Sequence, residues 1–136
     1  MNQAQRNVIS VRVGSQWYGI DVENVIEILP MVMLSEPPTS NPDVLGLIVV
    51  RNVVMPVVDL RLRFGIAEPQ YQLDTPIITL RTERGSIGIV IDEIDNVEHV
   101  ASENITTNVG TDFPFLAGTA QIKDRLLMLL NLSVIG

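Results

Sequence analysis

Cysteine is absent from the 136 residues, which excludes both disulfides and thiolate metal sites. Aromatic residues make up only 4% of the chain, so the core is left mostly to Val, Ile and Leu. The β-branched part of that set favours strands. Basic residues are scarce: 9 Lys and Arg stand against 16 Asp and Glu, a net charge of −7. Affinity for nucleic acid rests on cations neutralising phosphates, so a phosphate-tracking surface is disfavoured, as is attraction to an anionic membrane. Arg61 and Arg63, near Arg51 in sequence, form a local basic cluster but not a nucleic-acid footprint. No apolar run reaches membrane-spanning length, and the opening MNQAQRN lacks the apolar core of a signal peptide. A cytoplasmic location is expected.

Catalytic chemistry is equally sparse. The single histidine, His99, sits between Glu98 and Val100 in a strand-like context, with no convergent partner evident from spacing. The serines show no nucleophile elbow, and no glycine-rich loop leads into a helix. Asp92, Glu93 and Asp95 are the best metal candidates, but they lack the glycine and terminal glutamate of a calcium loop. A solvated bulge is the plainer account. Trp17 and Tyr18 could stack a small ligand between barrels, although an aromatic pair entering a strand more often belongs to the core. The expectation is no catalytic residue, no cofactor and no metal.

What is present is a valine-rich ribbon, Gly46–Leu60, GLIVVRNVVMPVVDL. Two apolar runs flank Arg51-Asn52, and asparagine accepts positive φ readily, so the pair predicts a tight hairpin turn. Arms apolar at nearly every position predict strands covered on both faces. Pro56 lacks an N–H and belongs at a sheet edge or bulge. Arg51 offers five donors in a fixed fork at the tip of this ribbon, the chemistry of an interface residue rather than a mere turn.

The ribbon recurs about seventy residues on, where Gly118–Leu132 reads GTAQIKDRLLMLLNL; Gly14-Ser15 with Ile20-Asp21 is likewise echoed by Gly85-Ser86 with Ile91-Asp92. Two similar halves, approximately 14–65 and 76–135, are expected within one domain spanning 1–136, with the strand order free to cross over. Along the chain, Val8–Val13 and Trp17–Ile20 read as strands. Asp21 reads as the N-cap of a short helix carrying Val22, Val25, Ile26 and Leu29, ended by Pro30. Asp59 caps a second short helix, Leu60–Phe64, stopped at Gly65. Ile77–Leu80 and Ile87–Ile91 follow, the latter continuing as Val97–Val100 after a bulge. Ala101–Gly110 is a polar loop, and Phe115–Ile122 with Leu126–Leu132 forms the last hairpin. The sum is all-β, most simply two small barrels with two short helices.

These residues match a family pattern. Tyr18-Gly19-Ile20-Asp21 with Val25, Glu27 and Ile28, then Gly46–Leu60, then IGIVIDEIDNV, then Gly118 through Asp124-Arg125-Leu126-Leu127 and Asn131-Leu132, resemble in order the CheW-like coupling proteins of bacterial chemosensory arrays. The likeness runs from about Val8 to Ile135. It implies two SH3-like five-stranded barrels around a shared apolar core, and no catalysis. It implies an adaptor joining the cytoplasmic tips of methyl-accepting chemoreceptors to the regulatory domain of a CheA-type histidine kinase, at arrays on the inner face of the membrane, without inserting into it. Ring assembly with the kinase domain or with itself is a further implication. Carried over by motif, Val25, Glu27, Gly46, Arg51 and Asn52 belong to the receptor-docking groove or its support. The family form G-x-x-N-L-R-G becomes Val49-Val50-Arg51-Asn52 after Gly46 here, and the chain ends at Gly136, where many members continue into a helix. Both departures suggest a specialised adaptor, in a system controlling pili or surface behaviour rather than swimming. The resemblance is to the single-domain adaptors, and the two-domain variant with a phosphoacceptor receiver domain is not expected.

Overall fold

Turn chemistry places most of the strands. In the computed structural model, which describes residues 5–31, 34, 41–66, 69–107 and 113–135, β1 (Gln5–Val13) and β2 (Gln16–Asp21) meet at Gly14, whose φ is 63°. β4 (Val44–Val50) and β5 (Val53–Asp59) meet at Arg51 and Asn52, with φ of 51° and 65°. Two consecutive left-handed residues make the hairpin turn whose twist matches that of its strands. Asp59 accepts from the Arg61 N–H and caps α1 (Leu60–Arg63), after which Gly65 takes φ 88°. These elements stand where the sequence places them.

The expected helix after Asp21 is not there. Asp21 does accept from the Glu23 N–H, but caps only a single 3₁₀ turn, Val22–Asn24, and the chain leaves as a strand, β3 (Val25–Pro30). β3 pairs antiparallel with β6 (Pro76–Thr82) from Val25 opposite Leu80 to Pro30 opposite Pro76. An isolated helix of two turns is marginal in water, whereas a β-branched run beside an open ladder satisfies its backbone at once.

The second half holds β7 (Gly85–Val90), β8 (Glu93–Ala101), a 3₁₀ turn at Ser102–Asn104, β9 (Ile105–Thr106), β10 (Leu116–Ile122), β11 (Arg125–Leu130) and α2 (Leu132–Ile135). The final strand therefore stops two residues early. Asn131 Oδ1 accepts from both the backbone N–H and the hydroxyl of Ser133, converting the chain's end to a helical turn. Among the described residues there are two short helices, as expected, but the second is this one. The stretch read as a polar loop contributes β9.

Strand order is β8-β1-β2-β11-β10-β9 in one sheet and β3-β6-β7-β5-β4 in the other. Each sheet thus takes the opening hairpin of one half and the later strands of the other. β8 does not prolong β7; at Asp92 the chain passes to the opposite sheet. The internal likeness is nonetheless present in the register. In β4–β5, Val44 faces Val58 and Gly46 faces Val57, leaving Leu45 as an extra, bulged residue. In β10–β11, Leu116 faces Leu130 and Gly118 faces Leu129, leaving Ala117. Each hairpin then lies parallel to a glycine-bearing strand, with Val57 opposite Gly88 and Leu129 opposite Gly19.

Side chains sort into three apolar clusters, as two barrels around a shared core require. Val50, Met55, Val57 and Val90 fill the five-stranded sheet, and Val8, Val100, Leu127 and Leu129 the six-stranded one. Between them lie Val11, Ile20, Leu60, Ile78, Ile89 and Ile91. Burying each such side chain is worth roughly 1.5–3 kcal/mol before chain entropy is counted. The expectation that the Gly46–Leu60 ribbon is covered on both faces holds only at its base. At the tip Val49 is 67% and Val54 63% exposed. Pro56 sits on an interior strand, one residue before pairing with β7 begins at Val57, so its missing N–H breaks no rung there.

Candidate protein-docking site

The five residues singled out by motif fall on β3 and the β4–β5 hairpin. Val25 is half-buried against the shared core, and Gly46 is buried at the bulge, at the far end of β4 from the turn. Arg51 and Asn52 form the turn itself. Glu27 and Arg51, far apart in sequence, come together: Arg51 Nε donates to Glu27 Oε1 at 3.3 Å, with side chains 68% and 37% exposed. The contact ties the hairpin tip to the opposite edge strand, β3. An ion pair this exposed contributes about 0–1 kcal/mol, so a partner can rearrange it at little cost. Val53, 45% exposed, joins Val49 and Val54 in giving the tip an aliphatic surround.

The most elaborate polar cluster lies elsewhere and was not read from the sequence. Asp59 is fully buried and Arg61 is 3% exposed. Arg61 Nε and Nη2 each donate at 3.0 Å to the two carboxylate oxygens of Asp59, while Nη1 reaches Asp92 Oδ1 at 3.2 Å and the Gln70 carbonyl at 2.8 Å. The Tyr71 hydroxyl donates to Asp59 Oδ2 at 2.5 Å, and the Gly14 N–H donates to Asp92 Oδ2 at 2.7 Å. Burial alone would lower the Arg61 pKa, but hydrogen bonds and charge from Asp59 and then Asp92 outweigh it and raise it. Tyr71 is pushed up to about 12, first by burial of its hydroxyl end and then by the hydrogen bond and charge of Asp59. With every bond satisfied, the cluster is a fastening rather than a reactive site. It joins the end of β5 and α1 to the β1–β2 turn of the other sheet. Asp59 was legible as a helix cap; its bond to a side chain two residues on carried no further signal.

The remaining candidates are structural. The three carboxylates weighed as metal ligands go to three different arginines: Asp92 to Arg61, Glu93 to Arg12 at 3.0 Å, and Asp95 to Arg125 at 2.7 Å. His99 Nδ1 lies 2.5 Å from Asn7 Oδ1 on the surface. Trp17 does not lie between the barrels, as a ligand site there would require. It packs against the interior of the six-stranded sheet under the Arg125 guanidinium, 3.7 Å from its ring centre. Tyr18 stacks on Phe64 in the shared core, and burial raises its pKa. No helix among the described residues is long and apolar enough to cross a membrane.

Comparison with known proteins agrees with this architecture. A family model described as a CheW-like domain matches residues 7–135. The chain is 27% identical over 139 residues to a probable chemotaxis protein CheW of Rhizobium etli, covering 99% of this chain and 90% of that one. It is 28% identical over 131 residues to chemotaxis protein CheW of Rhizobium meliloti, covering 93% and 84%. The crystal structure of the scaffolding protein TtCheW from Thermoanaerobacter tengcongensis superposes with a TM-score of 0.84 at 25% identity, over 93% of this chain and 89% of that one. With its two interleaved barrels and a family match running almost from end to end, the chain belongs to the CheW-like domain family of chemotaxis scaffolds.

Proposed function

We propose that the protein is a non-enzymatic adaptor that joins the cytoplasmic tip of a chemoreceptor to the regulatory domain of a CheA-type histidine kinase, on the cytoplasmic face of a receptor array. The observation that carries the placement of the receptor is the Glu27–Arg51 pair, exposed on a conformationally fixed tip in a chain of this family. Arg51, Asn52 and Glu27 contact the receptor. Val25 and Gly46 support the two strands that present them. Signalling follows if receptor state changes how tightly adaptor and kinase pack, because a partner shifts an equilibrium only through differential affinity.

Arg51→Glu tests the assignment, since it places two carboxylates together at the tip. Pull-downs with a receptor fragment and with the kinase regulatory domain are expected to show receptor binding weakened by about tenfold or more, with the kinase much less affected. Equal loss of both partners at an unchanged melting temperature counts against this placement.

A further inference from the structure

Arg61 and Arg63 leave the single turn of α1 two residues apart, about 200° around its axis, so they reach to opposite sides. Each holds a carboxylate of the five-stranded side and an acceptor of the six-stranded side. Arg61 pairs with Asp59 at the end of β5 and reaches Asp92 Oδ1 at 3.2 Å. Asp92 is itself fixed to the six-stranded sheet. Its N–H donates to the Arg12 carbonyl at 3.0 Å, and its Oδ2 accepts from the Gly14 N–H at 2.7 Å. Arg63 donates through Nε to Asp43, just before β4, and through Nη1 to the Ile135 carbonyl in α2 at 3.1 Å. Phe64, the next residue, stands between Tyr18 of β2 and Phe115 beside β10, with ring centres 5.2 and 5.1 Å away. Ile66 lies so close over the β1–β2 turn that a Cβ on Gly14 would stand 2.7 Å from its Cδ1.

The shared core between the barrels is mostly aliphatic, and burial of such surface has no preferred direction. Hydrogen bonds do have one. A single cross-link would act as a pivot, whereas two on opposite sides of α1, with a ring seated between two others, oppose rotation about either. We infer that the segment from Leu60 to Ile66 is the clasp that sets the angle between the two barrels, with Arg61 and Arg63 as its positioning residues. The planar fork of Arg61 serves Asp59 and Asp92 at once; a lysine keeps the charge but cannot span both. The clasp stands on this geometry alone. Its consequence rests on the scaffold reading above: partners seated on different barrels are held in one fixed relation to each other.

Because the chain has no cysteine, introduced pairs can carry spin labels for double electron–electron resonance. Glu83→Cys with Asp124→Cys places one label on an exposed turn of each sheet, and Gln5→Cys with Asp124→Cys places both on the six-stranded one. Arg61→Lys and Arg63→Gln are each expected to broaden the distance distribution across the barrels by about twofold and to leave the one within the sheet unchanged. Leu129→Ala, which empties the core of the six-stranded barrel instead, is expected to lower the melting temperature and broaden neither. Unchanged widths in Arg63→Gln and in any folded Arg61→Lys overturn the clasp. So does equal broadening in Leu129→Ala or within the single sheet, which would mark general loosening. The consequence is read with a chemoreceptor tip fragment immobilised and the kinase regulatory domain in solution, both from the same genome. Each clasp variant is expected to bind the receptor fragment as wild type does yet recover about threefold less kinase domain. Undiminished recovery beside broadened distances overturns the consequence and leaves the clasp. A wild type that bridges nothing overturns the scaffold reading, while the distances still decide the clasp.

Discussion

Tyr71 shows how one hydroxyl can report on a buried charge cluster. The residue is 44% exposed as a whole, yet its hydroxyl reaches the fully buried Asp59. The folded state binds the neutral phenol, which moves the pKa from 10.0 to about 12. A group whose pKa is raised by folding contributes its stability in full below the unfolded value and loses it as pH rises through the folded one. Urea melts of wild type and Tyr71→Phe are therefore expected to differ by about 1 kcal/mol at neutral pH. That difference should shrink between roughly pH 10 and 12, and ultraviolet titration of the variant should lack the late phenolate step. A constant gap across that range would mean that Tyr71 acts through packing alone. The exposed Arg12–Glu93 pair, by contrast, should contribute close to nothing.

Among the elements, β9 is held to β10 at Thr106 and Ile105 by a close backbone approach over Gly118. A Cβ on Gly118 would stand 2.6 Å from the Thr106 carbonyl oxygen, a backbone atom that cannot rotate away. On Gly19 it would meet Leu129 Cδ2 at 2.8 Å, the far end of a side chain. Gly118→Ala is thus expected to detach β9, seen as faster hydrogen exchange at Thr106 and Thr119, at a cost of about 1–3 kcal/mol. Gly19→Ala should repack with that edge still protected; matching exchange patterns in the two variants would refute the distinction. The same elements show what the chain's letters disclose. Hairpins with Gly, Asn or Lys at a left-handed turn, and caps at Asp21 and Asp59, are legible because their physics is local. β9 is only two residues long and has no periodicity to read. Val22, Val25, Ile26 and Leu29 fit a helical period, but the choice was made by β6, a strand some fifty residues away. The site was legible through motif rather than pattern: nothing in spacing alone says that Glu27 meets Arg51, because that contact follows from the sheet's curl. The Asp59–Arg61–Asp92 cluster depends on the crossover at Asp92, which pairing rules leave open.

For the molecule as a whole, the interleaving means that neither half owns a complete sheet. β3 completes the sheet of β6 and β7, and β8 completes that of β1 and β2. Chains divided within the link between Ile66 and Thr75 are expected to be unfolded separately by circular dichroism and to recover a cooperative melt when mixed. One half folding unaided would show that the exchange of strands is ornamental. The two barrels also differ optically. The sole tryptophan lies beneath Arg125 on the six-stranded sheet, while Arg51 and its valines stand on the five-stranded one. Indole emission is therefore a built-in gauge for one lobe only: a partner seated at the far lobe should leave its wavelength and intensity untouched, and any quenching would announce an event at the near one.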